Sequence, residues 1–112
     1  MAYDSLDAIM YVSGPATEDE LSQLLARILG GQVGRFGRVI TGLFNIMVSN
    51  NPDWELRKEW QYYVVIDVIP GAAAEHEVIA AMTNLLRKLW EMGMHTRTQV
   101  LYEDELPNAG CW

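Results

Sequence analysis

The sequence predicts a single α+β domain, spanning residues 1–112, with the ferredoxin-like split β-α-β pattern. Two observations support this prediction. Amphipathic helical patterns at 17–29 and 74–92 interrupt apolar segments that have the composition of β-strands. No repeat, linker or low-complexity tract divides the chain. Because crossovers through a helix are almost always right-handed, we expect an antiparallel sheet of four or five strands with two helices on one face.

A strand and a helix are predicted at the start of the chain. Residues 6–13 (LDAIMYVS) are apolar and rich in β-formers, and a Gly-Pro pair ends them. Thr17 is followed three residues later by Glu20, the capping-box spacing found at helix N-termini. A Gly-Gly pair at 30–31 predicts the end of this helix. Apolar residues recur between these limits at helical spacing, at Leu21, Leu24, Leu25, Ile28 and Leu29.

Glycine is frequent in the segment that follows, at Gly31, Gly34, Gly37 and Gly42. A phosphate-binding loop follows a strand and opens a helix, whereas this segment follows a helix and leads into apolar residues. The glycines therefore indicate bends or bulges in a strand-rich region rather than a nucleotide site. We predict a short strand near 33–40 and a buried strand over the almost continuously apolar residues 43–49.

The C-terminal half repeats the order of strand, helix and strand. A turn is predicted at 50–53 (NNPD), and alternation in QYYVVIDVI predicts a strand over 61–69. One face of that strand is uncharged and should face the core; it consists of Tyr62, Val64, Ile66 and Val68. A helix is predicted over 74–92 and a last strand over 96–102. The residues expected on the apolar side of this helix are Val78, Met82, Leu85, Leu86 and Leu89, with Trp90 as a further candidate.

Charge and composition argue against several classes of function. Eight basic and fifteen acidic residues give a net charge of −7 and a pI near 4.6, the opposite of the balance that phosphate binding requires. We therefore expect no direct nucleic-acid binding. An acidic balance either serves to keep a small protein soluble or indicates a basic protein as the partner. No apolar run approaches the roughly 20 residues of a membrane helix, and the first residues lack the pattern of a signal peptide. The single cysteine, Cys111, cannot form an internal disulfide, so a cytoplasmic location is expected.

The sequence contains no recognisable catalytic or metal-binding pattern. The two histidines, His76 and His95, lack the spacing of metal ligands. We therefore expect no catalytic residue, no metal and no cofactor. Asp67 lies among apolar neighbours, which indicates an exposed sheet position beside a basic residue such as Arg97. An enzyme in which Asp67 or a histidine acts as a base is the third-ranked hypothesis.

Residues 50–63 (NNPDWELRKEWQYY) combine aromatic and charged side chains between two predicted strands. Tryptophan and tyrosine are enriched at the energetic centres of interfaces, and acidic neighbours speed association with a basic partner. Alternatively, the two tryptophans close one end of the core beneath a loop. A second acidic segment, residues 102–107 (YEDELP), follows the last strand. The residues predicted to contact a partner are Asp53, Trp54, Glu55, Glu59, Trp60, Tyr63, Asp67, Glu103, Asp104 and Glu105.

The chain resembles the small acidic immunity proteins of bacterial polymorphic-toxin and contact-dependent inhibition systems. The resemblance covers the whole chain and is carried by its size and acidity, the segments LDAIMYVS and TEDELSQLLARILGG, the aromatic strand QYYVVIDVIP and the acidic YEDELP. It implies a non-enzymatic protein that neutralises a basic toxin domain by covering its active site with acidic and aromatic side chains. The second-ranked hypothesis is a homodimeric, small-molecule-binding or regulatory domain that pairs through its sheet face, where Val65 and Ile69 are apolar.

Overall fold

The computed structural model describes residues 3–14, 17–52 and 60–112. In these ranges the chain forms two helices and six strands, together with single 3-10 turns at Arg35–Gly37, Glu103–Glu105 and Pro107–Gly110. In chain order the elements are β1 (Ala8–Ser13), α1 (Glu18–Leu29), β2 (Gln32–Val33), β3 (Arg38–Ile40), β4 (Phe44–Asn50), β5 (Tyr62–Val68), α2 (Glu75–Glu91) and β6 (His95–Gln99).

The strands form one antiparallel sheet in the order β2-β3-β4-β5-β1-β6. The α+β class is as predicted, but the described residues hold six strands rather than four or five. The extra strand arises because the glycine-rich segment folds into a hairpin of two short strands. Phe36 (φ 58°) and Gly37 (φ 75°) both adopt left-handed backbone conformations, and the chain reverses there between β2 and β3.

The start of α1 confirms the predicted cap. The Thr17 hydroxyl accepts a hydrogen bond from the Glu20 amide at 3.1 Å, and Gly30 ends the helix with a left-handed backbone (φ 72°). The last strand is shorter than predicted, because it ends at Gln99 rather than at residue 102. Beyond it the chain turns, and the buried Tyr102 hydroxyl donates to the Leu6 carbonyl at 3.2 Å. Tyr102 therefore belongs to the core and not to the sheet.

The core lies between one face of the sheet and the two helices. Alternate residues of β1, β4 and β5 are buried on this face, including the predicted Tyr62, Val64 and Ile66, while Val68 at the strand end is half-buried. Five of the residues predicted on the apolar side of α2 are fully buried, whereas Trp90, the further candidate, is half-buried. One continuous hydrophobic cluster joins these positions to Leu21 of α1. Neither of the two described helices covers the opposite face of the sheet.

The C-terminal residues lie along the outer edge of β6. The backbone of Trp112 exchanges two hydrogen bonds with that of Thr96, at 2.8 and 2.9 Å, and Cys111 forms an isolated bridge with Arg97. The Gly110 carbonyl accepts from the buried hydroxyls of Thr96 at 3.0 Å and Thr98 at 2.8 Å. This tail therefore protects the backbone of an edge strand.

Candidate functional site

The uncovered face of the sheet has an apolar and aromatic centre. Tyr11 on β1 lies opposite Tyr63 on β5, and their ring centroids are 5.4 Å apart. In the next row Ile9 lies opposite Val65, which in turn lies opposite Met47 on β4. All but Met47 are half-buried, and Met47 is 36% exposed. A contiguous apolar and aromatic patch of this kind is typical of surfaces that bind other molecules.

A depression of about 460 Å³ lies at the end of this face where β1 begins. Its apolar floor is formed by Ile9, Val65 and Leu101, and Leu101 is 59% exposed. The carboxylates of Asp7 and Asp67 line the same depression. One oxygen of Asp7 accepts from the Val68 amide at 2.8 Å, which fixes that carboxylate at the end of β5. We call this feature, with Gln99 at its rim, the acidic groove.

Two tyrosines hold the second acidic segment against the same end of the sheet. The Tyr3 hydroxyl donates to the carboxylate of Glu105, and the Tyr3 ring packs edge-on against Tyr102, with ring centroids 5.8 Å apart. Tyr102 is anchored in turn to Leu6, directly before Asp7. The exposed 3-10 turn Glu103–Glu105 is therefore brought near the groove.

Nearby carboxylates add to the raised pKa values of these two tyrosines. The hydrogen bond to Glu105 is the largest of several causes that raise the pKa of Tyr3 to about 12, and Glu75 and Asp104 add to it. Burial raises the pKa of Tyr102 to about 12, with a further contribution from Asp7. Carboxylates from four separate parts of the chain thus share one end of the molecule. We call this set the acidic end; it consists of Asp7, Asp67, Glu75, Glu103, Asp104 and Glu105.

The described residues that were predicted to contact a partner fall into two groups. Asp67, Glu103, Asp104 and Glu105 lie at the acidic end, whereas Trp60 and Tyr63 lie toward the other end of β5. Trp60 is half-buried, and its carbonyl accepts from the Asn51 side chain at 2.8 Å. Asp67 lies four positions after Tyr63 along β5, a distance of about 13 Å. The other predicted contacts, Asp53, Trp54, Glu55 and Glu59, lie outside the described residues.

The register of the sheet places Asp67 and Arg97, which the sequence suggests as a pair, far from each other. Asp67 lies opposite Asn45 on β4, whereas Arg97 on β6 lies opposite Tyr11 on β1. β1 lies between β5, which carries Asp67, and β6, which carries Arg97. Along the strand direction the two residues are also offset by two positions on the same face of the sheet. Asp67 is exposed at the groove and does not form the suggested cross-strand pair with Arg97.

The roles of Asp7 and Leu101 in the groove, and the Tyr3–Glu105 contact, were not predicted from the sequence. Alternation through β1 could have identified Asp7, because it shares the outward face with Ile9 and Tyr11. No local pattern marks Leu101, since it reaches the groove only through the turn after β6. The groove offers carboxylates beside an apolar floor, an arrangement that suits a cationic group with an aliphatic or aromatic body.

The described residues contain no group of three or more His, Cys, Asp and Glu side chains placed to hold a metal ion. Within the same ranges, neither helix has the length and apolar character needed to cross a lipid bilayer. Comparison with protein-family models, with curated proteins and with solved structures finds no match to this chain. Fold and site together define an α+β protein whose open sheet face ends in an acidic groove.

Tyr3 and Tyr102 are expected to lose their protons near pH 12 in the folded protein, rather than near 10. Because both pKa values are raised on folding, their contribution to stability is complete below about pH 10 and is lost as the pH rises toward 12. Ultraviolet absorbance of tyrosinate measures the titration. Tyr3→Phe should remove one late-titrating group, and Glu105→Gln should move the Tyr3 transition toward its ordinary range. A Tyr3→Phe variant with an unchanged number of late transitions would contradict this assignment.

Proposed function

We propose that this chain is a non-enzymatic protein-binding module, an immunity-type inhibitor that neutralises a basic toxin domain in the cytoplasm. The observation that carries the proposal is the acidic end, where carboxylates from four parts of the chain lie at one end of the molecule and two of them, Asp7 and Asp67, line an open groove with an apolar floor. A surface of this composition is complementary to the Arg- and Lys-rich sites with which nucleases and related enzymes hold anionic substrates.

The groove suits the side chains of such a partner. An arginine or lysine can place its aliphatic stem on Ile9, Val65 and Leu101 while its charged group meets Asp7 or Asp67. The exposed turn Glu103–Glu105 extends the negative field beyond the groove and would speed the encounter with a basic surface.

The rest of the open face supplies the apolar part of the proposed interface. Tyr11 and Tyr63 pack against each other beside Ile9 and Val65, so that two rigid aromatic rings are presented next to the groove. Aromatic side chains in such positions commonly carry much of the energy of an interface. A partner that covers both the acidic end and these tyrosines would bury the apolar centre of the face, and the carboxylates would lie at the rim of the interface.

We also propose that the fold is ferredoxin-like, extended by the β2–β3 hairpin. In the split β-α-β pattern, one strand lies between the two strands that a helix connects. After α1 the chain forms the β2–β3 hairpin and then β4, and β5 lies between β1 and β4 in the sheet. In the second half β1 lies between β5 and β6, the two strands that α2 connects. This order supports the proposal and accounts for the uncovered sheet face.

A second candidate function is a homodimeric regulatory domain that pairs face to face through the sheet. The apolar row of Ile9, Val65 and Met47 favours it, because this row is uncharged and lies at the centre of the open face. A twofold dimer would bury this row against its own copy.

Co-expression with the products of neighbouring genes tests the leading proposal. Size exclusion followed by mass spectrometry should recover a basic partner in a stoichiometric complex, at low and at physiological salt. Failure to recover any partner at either salt would count against an inhibitor. Recovery of a homodimer alone would instead support pairing through the sheet face.

A further inference from the structure

The carboxylates of this chain are unevenly distributed along the sequence. Residues 21–52 contain three arginines, Arg27, Arg35 and Arg38, and no carboxylate, so all fifteen acidic residues lie elsewhere. This segment forms most of α1 and the strands β2, β3 and β4, one side of the sheet. A basic edge therefore stands opposite an acidic end in a chain whose net charge is −7.

An aromatic side chain projects from the basic edge. Phe36, in the turn between β2 and β3, is 89% exposed, the largest exposure among the large hydrophobic residues that the structure describes. Its backbone is left-handed (φ 58°), a conformation that bulky residues rarely adopt and that is often associated with function. Arg35 precedes it, and Arg38 follows one residue further on. We call residues 35–38 the Phe36 loop.

The loop is held in place by its surroundings. The Gly34 amide donates to the Arg38 carbonyl at 2.7 Å and closes the turn. Gly37 packs so closely on β4 that a Cβ atom there would lie 2.4 Å from the Val48 carbonyl oxygen. A tight turn that presents an exposed phenylalanine between two arginines is preorganised for binding, since little freedom is lost when it docks.

The acidic groove of the same chain is complementary to this loop in both shape and charge. The groove has an apolar floor, two carboxylates at its rim and a volume of about 460 Å³, within the range of pockets that take whole small molecules. A phenyl ring can lie on Val65 and Leu101 while the flanking arginines face Asp7 and Asp67. The loop cannot reach the groove of its own copy. β3 and β1 are three strand spacings apart, about 14 Å, and the loop is fixed on β4.

We propose that the chain associates with itself head to tail, with the Phe36 loop of one copy seated in the acidic groove of a second copy. The contact joins two different surfaces, so each copy uses its loop and its groove independently. It is small, and we therefore expect association only at high protein concentration. Self-association uses the same groove as the proposed binding of a toxin domain. A basic partner that fills the groove would therefore compete with the second copy.

Sedimentation velocity of the chain alone, from about 10 μM to about 1 mM and at low and high salt, tests the proposal. The wild-type chain should associate reversibly, and less so at high salt. Phe36→Ala removes the loop anchor and Leu101→Arg blocks the groove, and each should weaken association at least about tenfold. Asp67→Lys is a second groove variant, at an exposed position. Met92→Ala is the matched control, because Met92 is an exposed apolar residue (53%) outside both surfaces.

The decisive measurement is an equal mixture of Phe36→Ala with a groove variant. One copy keeps an intact groove and the other an intact loop, so the mixture should form a one-to-one pair that neither variant forms alone. A monomeric wild type at about 1 mM and low salt, a mixture that stays monomeric, or variants that still dimerise would each overturn the proposal. Phe36→Ala should still bind a basic partner, so failure of self-association leaves the proposed inhibitor function standing.

Discussion

Gly110→Ala is expected to lower the free energy of unfolding by about 2–4 kcal/mol. Gly110 has a left-handed backbone (φ 77°), and a Cβ atom there would lie 2.6 Å from the Cβ of Thr98. That clash involves a side chain fixed by its own hydrogen bond to the Gly110 carbonyl. The substitution should therefore push the tail away from β6 and leave the buried hydroxyls of Thr96 and Thr98 without their acceptor.

Gly71→Ala is the matched control for this prediction. Gly71 has nearly the same backbone angle (φ 75°), but a Cβ atom added there would have no atom of the described residues within 4 Å. The free energy of unfolding of this variant should fall only by the cost of a left-handed alanine, about 1–2 kcal/mol. Urea unfolding measures the free energy of unfolding of both variants, and similar m-values show that the two-state comparison holds. Equal losses for the two substitutions would show that the close approach to Thr98 has no energetic weight.

Reversing two charges at the acidic end should weaken binding to the basic partner about a hundredfold at low salt. The double variant Asp67→Lys with Glu103→Lys places two cations where the proposed partner presents its own. Both residues are exposed, so their substitution should leave the fold intact. The effect should appear mainly in the association rate and should shrink as salt is added. Surface plasmon resonance with the co-purified partner measures it.

Asp19→Lys with Glu91→Lys is the control, since it changes the net charge by the same amount. Both residues are exposed; Asp19 lies at the start of α1 and Glu91 at the end of α2, away from the acidic end. This variant should lose far less affinity. If both double variants weaken binding equally, overall charge rather than the acidic end controls association.

The sequence predicted the elements that depend on local patterns. The Thr17 cap, the left-handed Gly30 and the buried stripe of α2 follow from spacings within a few residues, and the structure confirms them. The β2–β3 hairpin was not predicted, because it depends on a left-handed Phe36, and no rule places an aromatic residue there. The predicted extension of the last strand to residue 102 failed because burial of Tyr102 outweighs its β-propensity.

The candidate site could be predicted only in part. Asp67 and the acids of 103–105 were identified from the sequence as separate features, and their common location depends on Tyr3 and Tyr102. The groove between them requires the register of three strands, which brings Asp7 and Leu101 beside Asp67. Such long-range register is not encoded in any single segment, so the groove became visible only in the folded chain.

The C-terminal tail along β6 has a consequence for how this protein behaves when it is abundant. An uncovered edge strand offers its free amides and carbonyls to other chains, which can add to it and start an aggregate. Here the backbone of Trp112 occupies that position on β6, and the strand at the other edge, β2, is only two residues long. Neither edge gives a long template for a growing sheet. The chain can therefore accumulate to high concentration without polymerising through its sheet edges.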